Sequence, residues 1–239
     1  MAGIKSLAKD TAIYGLSSIV GRFLNYLLVP LYTAVLPAAS GGYGVVSNVY
    51  AYTALILVLL TFGMETGFFR FANKSDEDAQ KVYANSLLFV GGLSLLFVVL
   101  CMAEDGKALY CASRNGTVYR FTPGQKQLKK VCDGQALVSF QCIPFAYLRY
   151  KKRPVKFAAI KLLNILGNIL LNLFFLLVCP WLDVHAHETV SWFYNPDYLV
   201  GYIFVSNLIM SALQMFFFIP ELRGVSYRMD KVLMKRMIN

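Results

Sequence analysis

The chain has 239 residues, 57% of them hydrophobic and 15% charged, with a formal net charge of +10 and a mean hydropathy of +0.54. This composition excludes disordered, fibrous and water-soluble globular classes and points to a bilayer as the solvent. The excess of Lys and Arg lies in loops between apolar runs, where it reports membrane topology and argues against a nucleic-acid partner.

The first apolar run, Thr11–Leu36, exceeds the ~20 residues that a helix needs to cross a bilayer. It is too long for a signal-peptide core and has no small-residue cleavage site, so it is expected to be retained. Tyr14, Ser18, Arg22 and Asn25 share one of its faces, and Pro30 is expected to kink it. Arg22 near the middle of such a run is either an anion-binding cation in a water-filled cavity or the partner of a carboxylate such as Glu65 or Asp10. Tyr43–Gly63 forms the second span and ends in the motif GMETGFFRF (Gly63–Phe71), which contains Glu65 and Arg70. Gly63 and Gly67 have the GxxxG spacing that allows close helix approach. A charged loop, Asn73 to Asp78, leads to the third span, Tyr83–Cys101.

Met102–Gln135 breaks the pattern. It is polar and alternating, with turn signals at Asn115-Gly116 and Pro123-Gly124, and reads as two or three short β-strands. Cys111 and Cys132 within it either pair or remain free thiols, and no cysteine has metal-site spacing. Ala136–Tyr147 is left as a fourth helix of about 18 Å, too short to span unaided.

Phe157–Cys179 carries Lys161, Asn164, Asn168 and Asn172 at i, i+3, i+7 and i+11, a stripe about 16 Å long. In hydrocarbon such groups face protein or water, so they either line a solute path or bond neighbouring helices. Lys161, one turn from the basic loop, has snorkelling to the interface as its alternative. Between Pro180 and Asp197 there is no Lys or Arg. Asp183, His185, His187 and Glu188 there read as a solvated loop rather than a metal site. Trp181, Trp192, Tyr194 and Tyr198 read as an interfacial aromatic belt. The last span, Tyr198–Ile219, has a second stripe of Asn207, Ser211 and Gln214 before a basic tail. The Lys/Arg asymmetry puts both termini in the cytoplasm and Pro180–Asp197 outside. No nucleophile–base set, phosphate loop or paired carboxylate occurs in a helix core, so no enzyme, metal or cofactor is expected.

Four stretches, Ala8–Pro37, GGYGVVS (Gly41–Ser47), Gly63–Phe71 and Ile143–Phe175, occur in the order found in one family. With them the chain resembles the polysaccharide and lipid-linked oligosaccharide flippases of the bacterial multidrug/oligosaccharidyl-lipid/polysaccharide exporter superfamily. The likeness covers about 1–101 and 136–239, outside Met102–Gln135. It implies an all-α membrane protein in the bacterial plasma (inner) membrane, a six-helix bundle corresponding to one lobe of a two-lobed exporter. Residues 1–101 would hold helices one to three, 102–135 a small β-rich extracytoplasmic segment, and 136–239 helices four to six. The partner implied is a polyprenyl-pyrophosphate-linked oligosaccharide, flipped by alternating access within membrane lipid, with a missing C-terminal lobe or a second copy completing the carrier. The expected substrate-binding residues are Arg22, Asn25, Arg70, Lys161, Asn164 and Asn168. The competing reading is a non-transporting membrane scaffold whose outer β segment binds a partner.

Overall fold

The computed structural model describes residues 2–36, 42–74, 78–103, 109–112, 118–121, 125–223, 225 and 227–238, and these are almost entirely helical. Helices α1 (Ala2–Tyr26) and α2 (Leu28–Val35) form one interrupted rod. The break falls where Pro30, lacking an N–H, cannot bond the Tyr26 carbonyl four residues back. Helix α3 (Gly42–Thr61) turns into α4 (Met64–Ala72) through Phe62 and Gly63, whose φ angles of 48° and 66° are left-handed. Gly63 therefore makes a corner.

The expected GxxxG contact is absent. Nothing lies within 4 Å of where a Gly63 Cβ would be, and a Gly67 Cβ would meet only ordinary neighbours at 3.8 Å. Close approach occurs instead where α1 and α10 meet α7. A Cβ on Gly21 would come within 2.6 Å of Ile165, and one on Gly167 would overlap Met210.

Helix α5 (Ala79–Ala103) is followed by a short antiparallel hairpin, β1 (Leu109–Ala112) with β2 (Val118–Phe121), in which Leu109 faces Phe121 and Ala112 faces Val118. Next comes α6 (Gln125–Tyr150), which corrects the expectation of a stunted fourth helix starting at Ala136. At 26 residues it is about 39 Å long. Gln125-Lys-Gln-Leu-Lys-Lys, read as part of a β segment, is built of good helix formers, and Pro123-Gly124 precedes a helix start rather than closing a hairpin. Helix α7 (Pro154–Leu173) runs through a π-helical turn (Phe174–Val178) into α8 (Cys179–His185). There Pro180 has no N–H for the Leu176 carbonyl. The short α9 (His187–Val190) and a 3₁₀ turn (Pro196–Tyr198) lead to α10 (Leu199–Leu222) and then α11 (Lys231–Ile238).

Five helical stretches are long and apolar enough to cross a membrane: Ala8–Val35, Gly42–Ala72, Ala79–Val99, Pro154–His185 and Leu199–Leu222. The sixth long helix, α6, carries Lys126, Lys129, Lys130 and Asp133 in its first third. It nonetheless packs among α3, α4, α5 and α10. Large apolar side chains on the outside, such as Phe23, Val58, Leu95 and Leu170, would be stranded in water and are suited to lipid.

Polar links tie the interior together. Ser94 and Ser139 Oγ atoms lie 2.7 Å apart between α5 and α6, and Gln141 Nε2 donates to the Ser211 carbonyl of α10 at 2.6 Å. Each such bond within a membrane bundle contributes about 0.6 kcal/mol. The largest apolar cluster joins α4, α5, α6 and α11 around Phe68, with Tyr83 and Tyr147 stacked at 4.1 Å between ring centres.

Candidate functional site

Helix α7 lies against α1, and the contact is polar at its centre. The Lys161 ammonium sits 5.5 Å from the Phe157 ring and donates to Ser18 Oγ at 3.1 Å, so it points across to α1 rather than snorkelling along its own helix. At the end of α6, Arg149 forms an ion pair with Glu65 of α4. Its guanidinium also lies over Phe69 at 5.3 Å and Phe157 at 5.8 Å. Tyr14 presents its ring to Phe157 edge-on at 5.1 Å. Arg149, Arg22 and Glu65 act on Lys161, and Asp10 and Arg149 act on Tyr14, so three cations and two carboxylates share this region.

The hydroxyl of Tyr14, Nε of Arg149 and Nδ2 of Asn164 are buried without a hydrogen-bond partner among the described residues. All three can donate. Buried donors ordinarily find acceptors, and leaving one unpaired costs about 1–3 kcal/mol. Three of them beside an excess of positive charge favour a ligand rich in oxygen acceptors and negative charge.

The expected site residues divide. Arg22 and Asn25 are exposed on α1 above the Lys161–Ser18 contact, and Arg22 has no ion-pair partner among the described residues. Glu65, one of the carboxylates considered for Arg22, belongs to Arg149. Asn164 faces the same region as Lys161 with its amide unpaired. Asn168 lies deeper and is 7% exposed, and its carbonyl accepts Asn172 Nδ2 at 2.7 Å. Asn172 Oδ1 in turn accepts the Tyr32 hydroxyl at 3.1 Å, so this half of the stripe ties α7 to α2. Arg70 is exposed at the end of α4, with its guanidinium 5.8 Å from the Phe71 ring, in company with Lys74 and Arg236 rather than with Arg22. In the second stripe, Asn207 donates to the Tyr50 hydroxyl at 2.6 Å and so links α10 to α3.

Arg149 is absent from the expected site residues, yet its contacts place it at the centre of this region. An arginine in the last turn of a helix that brings aromatic neighbours was the available signal.

In the segment between α8 and α10, His187 Nδ1 meets Asp183 at 2.7 Å and His185 Nδ1 meets the Trp181 carbonyl at 2.8 Å. No group of three metal-ligating side chains occurs among the described residues. Trp181 and Trp192 are exposed as an aromatic belt would be, whereas Tyr194 is buried and stacks on Tyr202 at 5.4 Å. Burial pushes the Tyr194 phenol up from its ordinary 10 to about 12.

The fold and the polar α1–α7 face define a multi-pass helical membrane protein with a cationic, donor-rich face between two of its helices. Residues 7–121 match the sequence model of the family described as "Polysaccharide biosynthesis protein", which supports the polysaccharide exporter superfamily for the N-terminal region. The match carries through β1 and β2, into the segment that the sequence likeness had left out. No curated protein and no solved structure matches the chain.

Proposed function

We propose that the chain acts as a membrane carrier, or as its N-terminal lobe, that passes a polyprenyl-pyrophosphate-linked oligosaccharide across the bacterial inner membrane. The observation that supports this reading is the α1–α7 face, where Arg22, Lys161 and Arg149 outnumber Glu65 and Asp10 around three unpaired donors. A diphosphate offers both the charge and the acceptors that this face lacks, and attraction is strengthened by the low dielectric around it. The polar half of the stripe nearest Arg22 would hold the pyrophosphate, while Asn168 and Asn172 keep α7 in place. Both termini then lie in the cytoplasm, because Lys5 and Lys9 at the start of α1 and the basic segments before α7 and after α10 share that side. A cytoplasm-only reporter active when fused after Asp183 would overturn this orientation.

The test is binding of a polyprenyl pyrophosphate to the full chain in proteoliposomes, followed by transfer between leaflets. Arg22→Ala is expected to lower affinity by about tenfold and Arg22→Lys by less, since Lys keeps charge but not bidentate contact. Arg22 is exposed, so both variants should retain the wild-type melting temperature. Unchanged binding in Arg22→Ala removes it from the mechanism, and binding without transfer assigns the chain to the scaffold class.

A further inference from the structure

At one end of the bundle, the start of α5, the α6–α7 turn and the end of α10 border a half-open cavity of about 220 Å³. Gln80, Tyr147, Lys151, Arg153, Glu221 and Arg223 line it. None of the α1–α7 face residues does. The volume is below the ~300–1,000 Å³ of pockets for drug-sized ligands and suits a small polar headgroup.

Two features of the lining specify its occupant. Lys151, Arg153 and Arg223 contribute three positive charges against one carboxylate. Lys151 leans over the Tyr147 ring at 5.4 Å, and Arg223 has no carboxylate partner among the described residues. The carboxylate itself is incompletely satisfied. The Glu221 side chain is 5% exposed, and its Oε1 accepts Lys156 Nζ at 2.6 Å with Arg153 at 3.9 Å. Its Oε2 is buried without any donor among the described residues. A half-satisfied buried carboxylate is costly, and a donor brought by a ligand would complete it.

We propose that this cavity binds a phosphodiester that carries its own hydrogen-bond donor, as the headgroup of a membrane lipid. The phosphate meets Lys151, Arg153 and Arg223, and the ammonium of an ethanolamine or the hydroxyl of a glycerol headgroup meets Glu221. All four residues lie at helix ends, the level at which headgroups sit. Choline headgroups have the phosphate but no N–H or O–H, so they satisfy only half of the site.

Native mass spectrometry of the full chain with added phosphatidylethanolamine, phosphatidylglycerol or phosphatidylcholine tests this directly. The first two are expected to be retained about tenfold more than the third. Glu221→Gln should bring that ratio close to one, and Arg223→Gln should lower retention of the first two lipids. Equal retention of phosphatidylcholine by the wild type, or a preference that survives Glu221→Gln, overturns the proposal. Displacement of the lipid by an equal concentration of glycerophosphoethanolamine would assign the site to a soluble phosphodiester and overturn the lipid source. Should Glu221→Gln fail to fold, the exposed Arg223 decides, and unchanged phosphatidylethanolamine retention in Arg223→Gln overturns the proposal.

Discussion

The cluster of α4, α5, α6 and α11 and the face between α1 and α7 handle their polar groups differently, although the Tyr83 hydroxyl inside the first is also buried without a partner among the described residues. In the first, Asn85 is fully buried in α5 and its amide is saturated at both ends. Nδ2 donates to the Asp230 carbonyl at 3.0 Å, and Oδ1 accepts the Asp230 N–H at 2.9 Å. Asp230 Oδ1 then accepts the backbone N–H groups of Val232 and Leu233, which caps α11. In the second region, Tyr14, Arg149 and Asn164 leave donors empty. A satisfied network fixes one arrangement, whereas an unsatisfied one is stabilised by whatever supplies the missing partners. The Asn85–Asp230 network therefore holds α11 in place, and the α1–α7 face is the candidate for binding.

Substitutions can break that contrast, and the largest effect is expected at Asn85. Asn85→Ala leaves both backbone groups of Asp230 without partners and should cost about 2–4 kcal/mol. Hydrogen exchange over Lys231–Ile238 should rise with it, and unchanged protection would show that α11 is held by Leu233 and Met234 alone. A smaller loss, about 1 kcal/mol, is expected for Tyr32→Phe, which removes one hydrogen bond to buried Asn172. Thermal melting in detergent measures it.

The Arg149–Glu65 pair should matter less for stability than for binding. Both side chains are more than a third exposed, so a double-mutant cycle should give a coupling of about 1 kcal/mol or less. A coupling of several kcal/mol would move Arg149 from the binding region to the holding one. The smallest effect concerns Tyr194. Its phenol keeps its proton to about pH 12 when folded and to 10 when unfolded. Folding is therefore unaffected below pH 10 and loses stability as the pH rises from there through 12. Phenolate absorbance of wild type against Tyr194→Phe reads the shift.

The spans were legible in the sequence because runs of about 20 apolar residues have few other uses. The kink at Pro30 and the corner at Gly63 were marked by residues with distinctive backbone chemistry, although Gly63 was read as a packing residue. Helix α6 was hidden because its first third is charged, and hydropathy sees polarity where propensity sees helix formers. The candidate site was half legible. Arg22, Lys161 and Asn164 stood out as polar residues in apolar runs, but Arg149 reaches Glu65 across 84 positions, a pairing that no local pattern encodes. The Asn stripe looked uniform, and only the position of Tyr32 separates Asn168 and Asn172 from Asn164.

The π turn at Phe174–Val178 also acts as a phase shifter. It carries one residue more than an α turn would, and one residue corresponds to about 100° of rotation on an α-helix. The face that presents Lys161 and Asn164 therefore does not continue onto α8, and Trp181 and His185 are set at an azimuth of their own. Deleting one residue from Phe174–Val178 would restore α geometry and swing the end of the rod around its axis while leaving the α1–α7 contact untouched. The two ends of one continuous helix can thus be aimed independently, the Lys161 end at α1 and the Trp181 end in a direction of its own.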